Sequence, residues 1–350
     1  MVGLIPRIIP EQTYYFFSIK LINFKLFVRR FLIFFSEYKT GKEQPVYVFQ
    51  NGNRSAGLFS YFNSALSHAQ HATKLGLPFV VDMQTLEYVN YVEADEVGKE
   101  NVWEIYFRQP DGLDLKASLA SKLKVIKRYA NPLYNSVDEK VFYDNNAKNF
   151  YRSLVRDRFA FSVALESFLN EQLRDFFHEG KKYLGVAFRQ GYVQTRPPGH
   201  FIQPELAVVI ADCKRIMKEN SFDFIFLATD SSEIVSSFTK VFGDQLKYLR
   251  RPRVGGVNTV RRSLSEVHKE KFIENVASFS MPGDGTDYIE TVEFDRNNDK
   301  YFKAREYLTE MVMLSRCQGF VASINSGTIA AYLLRSTDFD FEYVYKIGRY

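Results

Sequence analysis

The residues best suited to chemistry lie in one loop that follows a short apolar segment. Residues 183–188 are apolar and end at Arg189, after which glycine and proline are frequent up to His200. An arginine at the end of a strand can bind two phosphate oxygens at once through its planar guanidinium. Histidine exchanges a proton near neutral pH. The pair predicts chemistry on a phosphate-activated donor, and a helix-capping arginine with a surface histidine is the alternative.

A second candidate loop contains Thr229, Asp230 and Ser231 and directly follows the apolar segment 222–227. The Asp230 carboxylate could accept hydrogen bonds from a ribose or from the edge of a base. Each of the three side chains could equally cap the helix predicted to follow, because Thr, Asp and Ser are favoured helix N-caps. The sequence leaves both interpretations open.

A third loop follows the apolar segment 319–323 and precedes an apolar helix. Hydroxyl groups and backbone amides at a helix N-terminus can bind an anion, and the helix dipole favours it. A simple N-cap by Ser326 or Thr328 is the alternative. The candidate ligand-binding residues of this loop are Ser323, Asn325, Ser326, Gly327 and Thr328.

Small and polar residues also follow the first predicted strand, 45–49, and could let backbone amides approach a ligand at the start of the next helix. A short turn between strand and helix is the alternative. A short aromatic segment at 103–107 lies in the same half of the chain. The candidate ligand-facing residues of these two segments are Asn51, Gly52, Arg54 and Trp103.

Strand and helix patterns alternate along the chain, which predicts an α/β fold with parallel strands covered by helices. In the second half we expect strands at 183–188, 222–227, 245–249 and 319–323, and helices at 205–220, 233–242, 300–317 and 328–334. In the first half we expect strands at 45–49 and 77–82, a helix at 60–75, and mostly helix over 115–179. The predicted division is an apolar and basic extension (1–44), an α/β domain with bridging helices (45–180) and a second, Rossmann-like α/β domain (181–350).

Composition limits the class of protein. The chain of 350 residues suits two domains, and its net charge of +5 is too mild to indicate nucleic-acid binding. The two cysteines, Cys213 and Cys317, lie in apolar periodic segments that predict core thiols and a reducing compartment. Residues 14–35 are apolar, but each of the lysines and arginines among them would cost about 2.5–3.5 kcal/mol at the centre of a spanning helix. We therefore expect a cytoplasmic protein, with peripheral contact to the inner face of the plasma membrane through residues 14–35 as an option.

The three loops resemble the motifs of a known enzyme superfamily. LGVAFRQGY followed by GHFIQPE resembles the first motif of the superfamily that includes the alpha-1,6- and protein O-fucosyltransferases. FIFLATDSSEI resembles its second motif, and FVASINSGTIAAYLL resembles its third. The chain is most similar to bacterial polysaccharide-biosynthesis transferases related to that superfamily, which share a segment like NVWEIYFRQP at 101–110. The resemblance extends over about residues 45–334.

This resemblance implies a GT-B-like fold, in which two Rossmann-like domains face a central cleft, and an inverting transfer from a nucleoside diphosphate sugar, expected to be GDP-fucose, without a metal or other cofactor. By the resemblance, Arg189 would hold the diphosphate and Asp230 would contact the nucleoside. Ser326, Gly327 and Thr328 would surround the β-phosphate. The second domain would thus bind the nucleotide sugar, and the first would lie on the acceptor side, with Asn51, Gly52, Arg54 and Trp103 as its candidate residues. His200 is the candidate base that deprotonates an acceptor hydroxyl.

Three positions depart from the superfamily's first motif. Ala187 stands where the motif has histidine, Gln190 where it has a second arginine or glycine, and Tyr192 where it has an aspartate that orients the arginine. These departures leave open a second hypothesis, a nucleotide-sugar-binding protein of the same fold without turnover. A third, an unrelated α/β phosphate-ester enzyme, would need a carboxylate cluster or a placed nucleophile, and the sequence shows neither.

Overall fold

A computed structural model describes residues 45–50, 57–84, 91–93, 98–121, 124–128, 137–174, 176–189, 200–255, 259–261 and 292–350, together with positions 25 and 28. The predicted acceptor-side residues Asn51, Gly52 and Arg54 lie outside the described residues. The same holds for Gln190, Tyr192 and nearly all of the predicted extension. Within the described ranges, no helix combines the length and apolar character needed to cross a membrane.

Among the described residues of the first half, three parallel strands form one sheet. β1 (Val46–Gln50) lies between β2 (Phe79–Asp82) and β3 (Lys124–Arg128), and α1 (Leu58–Leu75) connects β1 to β2. The predicted strands and helix at 45–82 are thus confirmed. The prediction of helix across 124–128 is wrong, because this segment alternates between the exposed Ile126 and the buried Val125 and pairs with β1.

Short and long helices follow in the first half. They are α2 (Val102–Tyr106), α3 (Leu115–Ala120), α4 (Asn145–Arg158) and α5 (Val163–Arg174), with 3-10 turns at Glu139–Phe142 and, further along, at Gly243–Gln245. α4 begins where the Asp144 carboxylate accepts from the amides of Asn146 and Ala147. Its Arg152 donates to Asp338 at 2.6 Å and to the Tyr332 carbonyl at 3.4 Å. α4 therefore contacts the second half of the chain.

The second half contains alternating strands and helices. Its strands are β4 (Tyr183–Ala187), β5 (Phe224–Ala228), β6 (Leu246–Lys247), β7 (Thr259–Arg261), β8 (Val292–Phe294), β9 (Gly319–Ser323) and β10 (Phe341–Tyr345). Its helices are α6 (Leu206–Asn220), α7 (Ser232–Phe242), α8 (Asp299–Arg316) and α9 (Ser326–Leu334). In the described part of this half, one parallel sheet has the order β10-β9-β4-β5-β6, while β7 and β8 pair antiparallel.

The predicted α/β class with parallel strands is confirmed, and the predicted helices of the second half begin and end within two residues of the observed ones. The sequence did not predict β10. This strand lies at the edge of the sheet, where its Glu342 and Tyr343 are exposed, so it lacks the apolar run of a buried strand. Cys213 and Cys317 are buried free thiols, as expected, and burial raises the pKa of Cys213 to about 12.

One hydrophobic core contains residues from both sheets. Tyr47 and Phe49 of β1 belong to the same buried cluster as Phe226 of β5 and Phe320 of β9. Helices α1 and α9, one from each half, pack against each other in this core. The described residues of the two halves thus share apolar packing, and this packing brings the N-termini of α1 and α9 together.

A buried histidine in this core makes stability depend on pH. His68 of α1 is hydrogen-bonded through Nδ1 to the Tyr47 hydroxyl at 2.8 Å, and its ring stacks on Phe49 at 4.3 Å. Burial, assisted by the nearby charges of His71 and Lys127, lowers the pKa of His68 from 6.5 to about 3. The imidazole therefore stays neutral in the folded protein at pH values where it is charged in the unfolded chain.

We predict that the free energy of unfolding falls as the pH falls below about 6.5, because the unfolded chain then binds a proton that folded His68 does not. The loss from this group approaches about 1.4 kcal/mol per pH unit. His68→Asn, which keeps an acceptor for Tyr47 but does not titrate, should show a shallower pH dependence. Urea denaturation between pH 7.5 and 5 measures both slopes, and equal slopes would contradict the prediction.

Candidate functional site

Arg189 and the loops that follow β5 and β9 lie at the carboxyl-terminal edge of the second sheet. β9, β4 and β5 are adjacent and parallel, so their carboxyl ends lie side by side. Arg189 follows β4, Asp230 follows β5, and the loop that leads into α9 follows β9. Ligands of open α/β sheets bind at this edge.

Arg189 and Asp230 form a direct ion pair at this edge. The Arg189 Nε donates to Asp230 Oδ2 at 3.1 Å, and the two side chains are 24% and 12% exposed. The guanidinium also lies over the ring of Tyr307, 5.4 Å from its centre. Asp230 thus orients Arg189. In the superfamily motif, this role belongs to an aspartate at the position of Tyr192. Partial exposure keeps the guanidinium within reach of a ligand from solvent.

The side chains on either side of Asp230 in the sequence form hydrogen bonds with backbone amides. Ser231 is the N-cap of α7 and accepts from the Ile234 amide at 3.4 Å. Thr229 is buried, and its hydroxyl oxygen accepts from the Ser231 amide at 3.3 Å. Of the two interpretations of this loop, helix capping therefore applies to Ser231, whereas Asp230 faces Arg189.

The loop before α9 is shaped by a capping box. The Asn325 side chain accepts from the Thr328 amide at 3.0 Å, and the Thr328 hydroxyl accepts from the Asn325 amide at 2.9 Å. That hydroxyl also donates to the Ser323 carbonyl at 2.8 Å. Thr328 and Ser323 are buried, and the Thr328 side chain fixes the turn through the Ser323 carbonyl, while Asn325 and Ser326 are half-buried. The amides of Ser326 and Gly327 lie in the first turn of α9, where no intrahelical acceptor exists.

Ser326 contacts the first half of the chain. Its hydroxyl lies 3.0 Å from the hydroxyl of Ser60, and its carbonyl accepts from the Asn63 side chain at 3.0 Å. Ser60 and Asn63 belong to the first turns of α1, so the N-termini of α1 and α9 meet here. The positive ends of two helix dipoles attract an anion. The sequence predicted that the N-terminus of α1 could face a ligand, but it did not indicate Ser60 or Asn63.

The Tyr307 side chain occupies the space next to Gly327. The sequence analysis did not identify Tyr307 as a site residue. A Cβ at position 327 would overlap the hydroxyl of Tyr307, which lies on α8, and would come within 3.0 Å of its Cζ. The Tyr307 ring also packs edge-to-face on Phe59 of α1 at 5.1 Å. Tyr307 therefore contacts Arg189, Gly327 and Phe59 together. Its position on a helix distant in sequence gave no signal of this.

A buried cluster of charges supports the loop after β5. The Glu310 carboxylate of α8 accepts from Arg251 at 2.8 Å through both of its oxygens and from Arg253 at 3.2 Å. The side chains of Arg251, Arg253 and Glu310 are 6%, 5% and 2% exposed. Sequence reasoning missed all three, because arginines in a proline-containing segment suggest a solvated loop.

His200 lies elsewhere along the same edge. It is exposed, and its carbonyl accepts from the amide of Tyr350 at 3.0 Å. The next residue, Phe201, forms an antiparallel bridge with Arg349. His200 therefore packs beside the segment that follows β10, two strands from β4.

Trp103 is a core residue. Its side chain is 1% exposed, its ring stacks on Phe107 at 4.5 Å, and its Nε1 donates to the Arg108 carbonyl at 3.1 Å. Burial on this scale contradicts the expectation that its ring contacts an acceptor. The aromatic segment is the helix α2, whose apolar side faces the core.

No group of three or more His, Cys, Asp or Glu side chains is arranged to hold a metal ion in the part of the chain that the structure describes. The candidate site described so far therefore consists of a cation, Arg189, oriented by Asp230, and two helix N-termini that meet at Ser326.

No protein-family model matches the sequence, and no curated protein matches it either. Solved structures are similar to the chain at low identity. The alpha-1,6-fucosyltransferase NodZ soaked with GDP-fucose shares 13% identity at a TM-score of 0.47, over 83% of this chain and 93% of its own; a NodZ structure from Bradyrhizobium shares 11% at 0.47. A variant of Arabidopsis thaliana FUT1 in complex with GDP shares 9% identity at 0.47, over 96% of this chain and 74% of its own. The structural neighbours are fucosyltransferases.

We predict that Gly327→Ala lowers the free energy of unfolding by about 1–3 kcal/mol, the usual cost of overpacking, because the added methyl overlaps the Tyr307 hydroxyl. In a Tyr307→Phe background the same substitution should cost less, since the hydroxyl is absent. Urea denaturation of the wild type, both single variants and the double variant measures the difference. An equal cost in both backgrounds would show that Tyr307 does not occupy this space.

Proposed function

We propose that the protein is a metal-independent, inverting glycosyltransferase that transfers fucose from GDP-fucose to a glycan or a lipid-linked oligosaccharide in surface polysaccharide biosynthesis. The observation that carries the proposal is the Arg189–Asp230 ion pair, located at the carboxyl ends of the adjacent strands β4 and β5. The donor is inferred from the resemblance of those loops to fucosyltransferase motifs.

In this proposal the donor diphosphate binds between Arg189 and the N-terminus of α9. Arg189 supplies a full charge and Asp230 orients it, which favours a fixed cation over a mobile one. The first-turn amides of Ser326 and Gly327 and the adjoining N-terminus of α1 add partial positive charge. These groups suit a dianionic diphosphate.

The proposed reaction is a single displacement. The acceptor hydroxyl oxygen forms a bond to C1 of fucose on the face opposite the leaving diphosphate, which inverts the configuration. The bond from C1 to the diphosphate oxygen breaks, and its electron pair leaves with GDP. Arg189 and the helix N-termini stabilise the charge that develops on that oxygen. The acceptor proton goes to a base, for which His200, exposed at the same edge of the sheet, is our candidate.

A second candidate function is nucleotide-sugar binding without turnover. The observation that favours it is Ala187, which ends β4 with a methyl group where the superfamily motif has histidine. Such a protein would bind GDP through the same ion pair but would not transfer the sugar. For either function we propose a cytoplasmic location, with residues 14–35 as the segment that would contact the inner face of the membrane.

We predict that the protein binds GDP more tightly than UDP or CDP, as the resemblance to GDP-fucose enzymes implies. EDTA should leave the affinity unchanged, because a guanidinium and helix amides neutralise the diphosphate in this proposal. Calorimetric titration with the three nucleotides, with and without EDTA, tests both parts. Preference for UDP would discard the proposed donor. Loss of binding in EDTA would contradict metal independence, and absence of binding to all three would overturn the proposal.

We further predict that Arg189→Ala raises the Kd for GDP at least tenfold and adds about 2.7–4 kcal/mol to the transfer barrier, as loss of a group that stabilises a developing negative charge does. Arg215→Ala is a matched control, since it removes a paired arginine from the surface of α6. Full activity of Arg189→Ala would refute the assignment of the diphosphate site.

We also predict that His200→Ala lowers turnover and leaves the Kd for GDP unchanged, because a base does not bind the nucleotide. Equal loss of affinity and turnover in His200→Ala would make His200 a binding residue.

A further inference from the structure

We propose that Arg251, Arg253 and Glu310 position the Arg189–Asp230 pair for the bound diphosphate. None of the three is within the motifs that the sequence analysis identified. The inference rests on the proposed function, because it assigns these residues to the same site. They act through Asp230 and are therefore positioning residues.

The first step is the satisfaction of charge inside the cluster. Glu310 Oε1 accepts from Arg251 Nε at 2.8 Å and from Arg253 Nη2 at 3.2 Å, and Oε2 accepts from Arg251 Nη2 at 2.8 Å. Removing charges from water is costly, and a buried ion cluster often adds little net stability compared with apolar packing. A role in positioning gives a reason for its presence at this edge of the sheet.

The second step is the contact with the loop after β5. Arg251 Nη2 and Arg253 Nε both donate to the carbonyl of Thr229, at 3.0 and 3.1 Å. The peptide that bears this carbonyl leads directly into Asp230. Rotation of that peptide would break two hydrogen bonds from charged donors, which are stronger than neutral ones. The orientation of this peptide is therefore fixed by the cluster.

The third step fixes the other side of Asp230. The Val254 amide donates to the Asp230 carbonyl at 2.8 Å, and the Ser232 amide donates to the Val254 carbonyl at 3.0 Å. The segment that contains Arg251 and Arg253 thus pairs with the main chain on both sides of Asp230. Because the main chain is held, the carboxylate is directed to Arg189 Nε at 3.1 Å.

The last step concerns charge. Asp230 alone would neutralise Arg189 and weaken its attraction for a diphosphate. Three guanidiniums, those of Arg189, Arg251 and Arg253, face two carboxylates, those of Asp230 and Glu310, which gives these five side chains a formal charge of +1. The nearby carboxylate of Glu306 is paired with Arg296. In a buried setting this formal charge is poorly screened. The cluster therefore both holds Asp230 and offsets its charge.

The test compares Glu310→Gln with Arg152→Lys in the full-length protein. Arg152 of α4 is a matched control, because it is also a buried arginine that bonds a carboxylate and a carbonyl, Asp338 and that of Tyr332, outside the candidate site. We expect Glu310→Gln to raise the Kd for GDP at least tenfold. Arg152→Lys should leave that Kd within twofold of the wild type even where it lowers the Tm as much. Glu310→Asp, which keeps the charge, should recover part of the lost affinity.

A second measurement does not need a nucleotide. Phenylglyoxal modifies accessible arginines, and mass spectrometry locates the modified residue. Arg189 should react at least threefold faster in Glu310→Gln than in the wild type or in Arg152→Lys, because its partner Asp230 is no longer held. If Glu310→Gln does not fold, Arg253→Lys replaces it, since lysine keeps the charge but cannot reach all of the acceptors of Arg253.

The outcomes separate the two proposals. Absence of GDP binding to the wild type would overturn the proposed function, while the reactivity of Arg189 would still decide whether the cluster positions it. A folded Glu310→Gln variant with unchanged Arg189 reactivity would overturn the inference even if the wild type binds GDP. Equal loss of affinity in Glu310→Gln and Arg152→Lys would show that the cluster serves stability alone.

Discussion

The buried carboxylate of Glu310 between Arg251 and Arg253 is the interaction on which the candidate site depends. A carboxylate with so little exposure requires compensating partners, and both guanidiniums supply them. Each guanidinium also donates to the Thr229 carbonyl, so the buried charge of Glu310 on α8 is linked to the loop after β5. In our proposal, this contact positions Asp230, and Asp230 in turn positions Arg189. The partly exposed ion pair of Arg189 and Asp230 thus depends on a buried cluster of charges.

Two side chains on one face of helix α8 support two different loops of the candidate site. Tyr307 and Glu310 are three residues apart and therefore lie on the same side of the helix. Glu310 supports the loop after β5, while Tyr307 lies between Arg189 and Gly327 at the start of α9. Movement of α8 would displace both the cation and the helix N-terminus. In the proposed function, this shared support keeps the two anion-binding groups at a fixed separation.

The two halves of the chain meet at this edge. The N-termini of α1 and α9 are joined by Ser60 and Ser326 and by the hydrogen bond from Asn63. Outside the candidate site, α4 contacts the second half through Arg152, and residues of both sheets pack in one hydrophobic cluster. Because Ser60 and Asn63 contact Ser326, the loop proposed to bind phosphate is built by both halves.

Local sequence patterns predicted most of the strands and helices and the edge of the sheet at which the candidate residues lie. Apolar runs bounded by glycine, proline and polar residues located β1, β4, β5 and β9, and parallel strands necessarily bring the loops that follow them to one edge. Contacts between distant segments were needed to show that Asp230 pairs with Arg189 and that Glu310 is buried between two arginines. The same holds for Tyr307, which fills the space next to Gly327, and for Trp103, which lies in the core. The spacing of apolar residues indicates the type of a single helix or strand and the side that it buries. It does not indicate which distant charges compensate each other, because a charged residue looks the same in the sequence whether its side chain is in solvent or in a buried ion pair.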